Sequence, residues 1–219
     1  MVRDKWYVIR VNYMRIIKQK DVNISELAGE LKHGKVIVYP TETCYGLGAD
    51  ATNQAAVERL FAIKGRAPDK AVLMLIDRPE RIKQYVEWTP FLDKLARAYW
   101  PGPLTIVIAV KDKKDLADGV VAADATIAVR VSARRSAREL CRALGRPLIS
   151  TSANLAGGDN PYEIEMVLRL YDQAKARPDI VIDAGNLPRR PPSTIVKVVG
   201  EKIEVLRQGE IRIKVNSNQ

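Results

Sequence analysis

Residues 36–51 read VIVYPTETCYGLGADA. An apolar strand, Val36–Tyr39, runs straight into a loop rich in Pro, Thr, Tyr and Gly. That order decides the fold class, because open α/β sheets hold their ligands just beyond the carboxyl ends of their strands.

Working outward, Lys5–Val11 alternates like a strand, and Asn23 with Glu26 forms a capping box for a helix that stops at Gly34. A helix from Asn53 to Lys64 carries Val57, Leu60, Phe61 and Lys64 at helical spacing and ends at Gly65. Ala71–Ile76 is a second apolar strand. Thr89 as N-cap and Pro90 at the first helical position start a helix to Trp100, and Pro101-Gly102-Pro103 turns the chain into strand Leu104–Val110. There follow strand Thr126–Val131, helix Arg135–Leu144 closed by Gly145, short strand Pro147–Ser150, helix Tyr162–Lys175, and strands Ile180–Asp183, Ser193–Val199 and Ile203–Arg207. Strands separated by helices argue for a mostly parallel, helix-covered sheet, and the closing hairpin around Gly200 makes it mixed. The expected organisation is one α/β domain over residues 1–213 with a short tail at 214–219.

A chain of 219 residues with 47% hydrophobic and 28% charged side chains is long enough to bury a full core. It holds no apolar run of about 18 residues and no charged-then-apolar leader, so a soluble, cytoplasmic protein with no membrane partner is expected. Two cysteines and the single His33 argue against a disulfide framework and against a metal held by side chains. Thirty-six Lys and Arg against 26 Asp and Glu leave a net charge of +10. Such a surplus attracts nucleotides or RNA, and it equally suits a heavily solvated, heat-adapted surface.

Two stretches imitate nucleotide motifs. Gly29–Lys35 has P-loop spacing, but it ends a helix and enters a strand, whereas a P-loop needs loop amides entering a helix N-terminus. Gly46–Ala51 resembles a dinucleotide fingerprint, with Asp77 after the following strand. There, Pro40–Tyr45 separates the strand from the first glycine, which keeps a pyrophosphate from the helix amides. A dinucleotide-binding oxidoreductase rests on that pattern alone.

Other polar residues fall at strand ends. Thr41 and Thr43 follow the first apolar strand and either face a ligand or cap the turn. Lys64 and Arg66 flank Gly65 before Pro68, where two cations suit both a triphosphate and a helix C-terminus. Ser150-Thr-Ser-Ala-Asn154 ends a strand in hydroxyls and an amide. Arg130 lies inside an apolar strand, where its charge requires a bound anion or a buried carboxylate, and Arg207 repeats the pattern in the last strand. Cys44 has no base near it in sequence and reads as a small buried hydrophobe. Basic and hydroxyl groups without a nucleophile–His pair describe a site that binds and orients anions, as nucleotidyl transfer requires.

PTETCYGLGADA, KGR at 64–66, WPGPLT at 100–105, TIAVRVS at 126–132, STSANLAGG at 150–158, PSTIVKV at 192–198 and VLRQG at 205–209 together resemble the motifs of the threonylcarbamoyl-AMP synthase (YrdC-like) family, in its single-domain form. The resemblance implies a YrdC-like twisted open mixed parallel/antiparallel sheet with flanking helices and a basic central cavity. It implies conversion of L-threonine, bicarbonate and ATP, with Mg²⁺ carried by the ATP phosphates, to threonylcarbamoyl-AMP and pyrophosphate. The adenylate would pass to a downstream threonylcarbamoyl transferase that modifies tRNA, which this chain would meet indirectly or weakly. By motif, Thr41, Arg130, Ser150 and Ser193 resemble threonine-site positions. Lys64, Arg66, Pro68, Thr126, Ser152, Asn154 and Arg207 resemble ATP-site positions, with Lys64 and Arg66 the catalytic cations. The chain departs from the family pattern at Cys44, at residues 67–75, at Ser132 where proline is usual, and at Gly158. A non-catalytic RNA-binding module of the same fold is the alternative.

Overall fold

The computed structural model describes residues 9–11, 14–65 and 72–213, with side chains from residue 14 onward. Arg66, Pro68, the first part of the strand expected from Lys5, and the tail at 214–219 lie outside the described residues.

The described strands are β1 (Ile9–Val11), β2 (Met14–Lys18), β3 (Ile37–Pro40), β4 (Tyr45–Asp50), β5 (Leu73–Leu75), β6 (Leu104–Ala109), β7 (Thr126–Arg130), β8 (Leu148–Ser152), β9 (Ile180–Asp183), β10 (Thr194–Val199) and β11 (Lys202–Arg207). They form one open sheet in the order β1-β2-β9-β3-β4-β8-β5-β7-β6-β10-β11. Among the described residues five α-helices flank it: α1 (Ile24–Lys32), α2 (Gln54–Lys64), α3 (Pro90–Tyr99), α4 (Arg135–Leu144) and α5 (Ile164–Asp172).

The helices begin and end where local chemistry dictates. Asn23 accepts from the amides of Ser25 and Glu26, and Thr89 accepts from Leu92 N at 3.2 Å, which satisfies orphan donors at the first turns of α1 and α3. Gly65 and Gly145 take left-handed conformations that terminate α2 and α4.

The expectation of a mostly parallel sheet is corrected. Six of the ten strand pairings are antiparallel, because β3–β4, β4–β8, β5–β8 and β6–β7 join the parallel pairs into one mixed sheet. Tyr45–Asp50, expected as loop, is the fully buried strand β4. Glycine disfavours strands, yet here close packing requires it: a Cβ on Gly48 would lie 2.8 Å from the Tyr39 ring.

The side-chain alternation of two assigns each face its task. Val38, Leu47, Ile106, Val129, Ile149 and Val196 point into the larger core, which also takes Val57, Leu60 and Phe61 of α2. The opposite residues Ile37, Tyr39, Leu75, Leu148 and Ile182 pack on Leu27 and Leu31 of α1 and Leu140 and Leu144 of α4. Full burial of each such side chain contributes about 1.5–3 kcal/mol. The second face is covered only in part. Beyond α1 and α4 it presents Gly46, Thr105, Ala128, Arg130, Ser150, Ser152 and Ile195, and there a cavity opens.

Candidate active site

The cavity has a volume of about 230 Å³. Strand register brings its wall together: Arg207 pairs with Ile195, Ile195 with Thr105, and Gly46 with Ser152 across three separate ladders. Gly46 forms part of the floor, and a Cβ there would lie 3.1 Å from Thr41 Cγ2 and 3.4 Å from Ser150 Oγ.

Thr41 both caps and lines. Its hydroxyl donates to Cys44 O at 2.7 Å and accepts from the amides of Thr43 and Cys44, so it fixes the tight 41–44 connection between β3 and β4. The same turn places Thr43 and Cys44 on the cavity wall. Burial pushes the Cys44 thiol up, which keeps it protonated and no nucleophile.

Lys64, at the last turn of α2, is buried. Its ammonium donates to Ser152 O at 2.6 Å, to Ser152 Oγ at 3.2 Å and to Asn154 Oδ1. Ser152 Oγ in turn donates to Asn154 Oδ1 at 2.5 Å. The structure therefore joins Lys64 to Ser152 and Asn154 across 88 and 90 residues of sequence. Ser152 lines the cavity, whereas Lys64 and Asn154 do not and are tied to it through their hydrogen bonds with Ser152. Strand β8 runs two residues further than expected, which carries Ser152 into the sheet.

Arg130 is 2% exposed and lines the cavity. The charge partner that its position in an apolar strand required is Glu42, whose Oε1 lies 3.0 Å from Nη1. The two groups form an ion pair without a hydrogen bond, since Arg130 Nε and Nη1 and Glu42 Oε1 are all buried without hydrogen-bond partners. The other Glu42 oxygen accepts from Ser132 Oγ at 2.5 Å.

On the far wall Ser193 Oγ and Thr105 Oγ1 are 2.9 Å apart, and Arg207 donates to the Ser193 carbonyl at 3.2 and 2.9 Å and to its hydroxyl at 3.2 Å. Burial, and then the like charge of Arg130, lower the pKa of Arg207. Two guanidiniums that repel each other across a cavity favour an anion between them. Arg190 adds a third to the lining.

Of the residues singled out from sequence, Thr41, Arg130, Ser150, Ser152, Ser193 and Arg207 share this one cavity. Thr126 does not line it. It lies on the same face of β7 as Arg130, four residues or about 13 Å along the strand, with its hydroxyl donating to Asp124 at 2.6 Å. Arg66 and Pro68 fall outside the described residues. Sequence reasoning missed Glu42, Thr105, Tyr162 and Arg190. Glu42 left a trace, as the acidic residue between two threonines that were themselves noticed.

Among the described residues no helix is long and apolar enough to cross a membrane. The Sua5/YciO/YrdC family model, described as telomere recombination, matches residues 30–209. A curated threonylcarbamoyl-AMP synthase of Thiobacillus denitrificans is 40% identical over 176 residues, which are 79% of this chain and 89% of that protein. One of Vibrio vulnificus is 34% identical over 190 residues, covering 85% and 98%. The crystal structure of P. abyssi Sua5 complexed with L-threonine superposes with a TM-score of 0.77 at 30% identity; it covers 88% of this chain, which spans only 55% of that longer protein. Sequence, fold and the placement of the shared motifs agree, and the chain belongs to the Sua5/YciO/YrdC family.

Proposed function

We propose that the chain is a threonylcarbamoyl-AMP synthase, a nucleotidyltransferase that converts L-threonine, bicarbonate and MgATP to L-threonylcarbamoyladenylate and pyrophosphate. One observation carries the reading: Thr41, Arg130, Ser150, Ser152, Ser193 and Arg207, scattered over most of the sequence, converge on a single cavity with anion-binding chemistry. The names of the curated relatives support the reaction, and the threonine complex of the P. abyssi protein supports its amino-acid half.

In this mechanism the amine of threonine takes up carbon dioxide derived from bicarbonate and releases a proton, giving a carbamate. A carbamate oxygen forms a bond to the α-phosphorus of ATP, the bond to the bridging oxygen breaks, and pyrophosphate leaves. Arg130 holds the threonine carboxylate, with the Thr41, Ser150 and Ser193 hydroxyls around the amino acid. Lys64, set in place by Ser152 and Asn154, joins Arg207 and Arg66 in neutralising the phosphates as charge builds on the leaving group. The lining supplies cationic donors for phosphate, and in this reading Mg²⁺ would be carried by the ATP phosphates. No protein nucleophile is needed. Because the carbamate is unstable in water, the partly enclosed wall serves to exclude solvent during transfer.

The adenylate passes to a downstream threonylcarbamoyl transferase in the cytoplasm, and tRNA meets this chain indirectly or weakly. The test is pyrophosphate release in RNA-free buffer with all three substrates and with each omitted in turn. Release that depends on threonine and bicarbonate is the expected result. A requirement for RNA, or no release at saturating substrates, would refute the assignment.

A further inference from the structure

The Arg130–Glu42 pair has an unusual arrangement for two buried charges. Buried ions are normally tied by hydrogen bonds that offset their desolvation. Here the facing atoms are 3.0 Å apart and yet unaligned, while both side chains are more than nine-tenths buried. The cause is visible at the other end of the carboxylate. Ser132 Oγ donates to Glu42 Oε2 at 2.5 Å and is itself fixed by accepting from the Arg134 amide at 3.1 Å. The Ser132 carbonyl is held in turn by Arg138 Nη1 at 2.7 Å. Glu42 is thus anchored on the loop after β7, two residues beyond the arginine that it faces, and it cannot rotate into a two-pronged hydrogen-bonded pair with Arg130 without giving up the hydroxyl.

From this geometry we infer that Glu42 and Ser132 are positioning residues for Arg130: the hydroxyl holds the carboxylate beside the buried Nη1, where it balances the guanidinium charge without drawing the whole fork into a two-pronged pair, which leaves Nη2 for the carboxylate of the incoming amino acid. The inference rests on the proposed synthase reading, in which Arg130 meets threonine. A buried guanidinium with no counter-ion would be costly in the empty site, and one fully engaged by a mobile glutamate would compete with the substrate. An ion pair held out of hydrogen-bond alignment avoids both.

Removal of the anchor should therefore act on the amino acid alone. In Ser132→Ala, Glu42 is released to engage Arg130, and the KM and the calorimetric Kd for L-threonine should rise about tenfold, the loss of roughly one charge-assisted hydrogen bond. The KM for ATP should stay within about twofold. Ser132→Thr, which restores the hydroxyl, should return threonine affinity close to that of the unaltered protein. In a Glu42→Gln background, where no carboxylate remains to compete, Ser132→Ala should lose most of its effect, so the two substitutions are non-additive.

An unchanged threonine affinity in folded Ser132→Ala overturns the inference, as does an equal rise for threonine and ATP that Ser132→Thr fails to rescue, which marks a general structural role. If Ser132→Ala does not fold, Ser132→Thr and Glu42→Gln carry the test: unchanged threonine affinity in Glu42→Gln overturns it. The functional reading fails separately, and visibly, when the unaltered protein releases no pyrophosphate. Threonine binding without turnover still tests the positioning by calorimetry, and absence of both overturns the two together.

Discussion

Arg130 shows how much one side chain can be made to declare. Its charge in an apolar strand required a partner, and the partner found is an acid that leaves donors unused. Arg130→Lys keeps the charge for Glu42 but loses the planar fork, so steady-state kinetics should show a threonine KM raised at least about tenfold with the ATP KM little changed. Lys64 predicts the complementary outcome. Its ammonium orders Ser152 and Asn154 and is proposed to meet phosphate. A hydrogen bond to a charged group contributes roughly 1.5–3 kcal/mol, so Lys64→Ala should lower ATP affinity or turnover at least about tenfold while circular dichroism shows the fold retained. Both cations were legible in sequence because their surroundings are local: an apolar run for one, a helix end for the other. Glu42 was not, because what makes it significant is Ser132, 90 residues away.

At the scale of elements, the helices were readable for the same reason. Asn23, Thr89, Gly65 and Gly145 act within one turn, so their meaning survives without the rest of the fold. Strand β4 was hidden, since Gly46 and Gly48 read as loop until Tyr39, Thr41 and Ser150 are placed beside them. The two glycines predict different defects. Gly48→Ala must displace an aromatic ring, with a backbone oxygen of Ile149 at 3.2 Å behind, so thermal unfolding should show a loss of about 1–3 kcal/mol. Gly46→Ala meets a methyl group at 3.1 Å and a hydroxyl at 3.4 Å on the cavity wall, with the Thr151 carbonyl at an ordinary contact distance of 3.6 Å, so Tm should change little while threonine-dependent turnover falls.

Across the whole molecule, the mixed sheet depends on junctions where distant elements meet, and Asp179 is one. It accepts from Val36 N at 2.8 Å and pairs with Arg59 at 3.0 Å and Lys35 at 3.3 Å, linking the start of β9 to β3 and α2. Burial pushes its carboxyl up, but Arg59, the Val36 amide and Lys35 outweigh that and hold it below the ordinary value of 3.8. A carboxyl depressed in the folded state stabilises above its unfolded pKa and loses that contribution as pH falls through the folded value. Asp179→Asn should therefore be less stable than the unaltered protein at pH 7 by denaturant unfolding, and the difference should shrink as pH falls below about 4. The sheet order itself was not legible, because antiparallel crossings between β3, β4 and β8 are set by tertiary pairing that helix–strand alternation does not encode.

Arg207 is carried by β11, an edge strand whose Val205 and Leu206 are 39% and 49% exposed. Such a strand opens at low free energy and frays before the interior does. If Arg207 and Ser193 both hold substrate, as proposed, binding favours the zipped hairpin, and ligand at 100 times its Kd would hold it closed by about 2.7 kcal/mol. Amide exchange along β11 should then slow as substrate is added, while exchange in the interior strands stays unchanged.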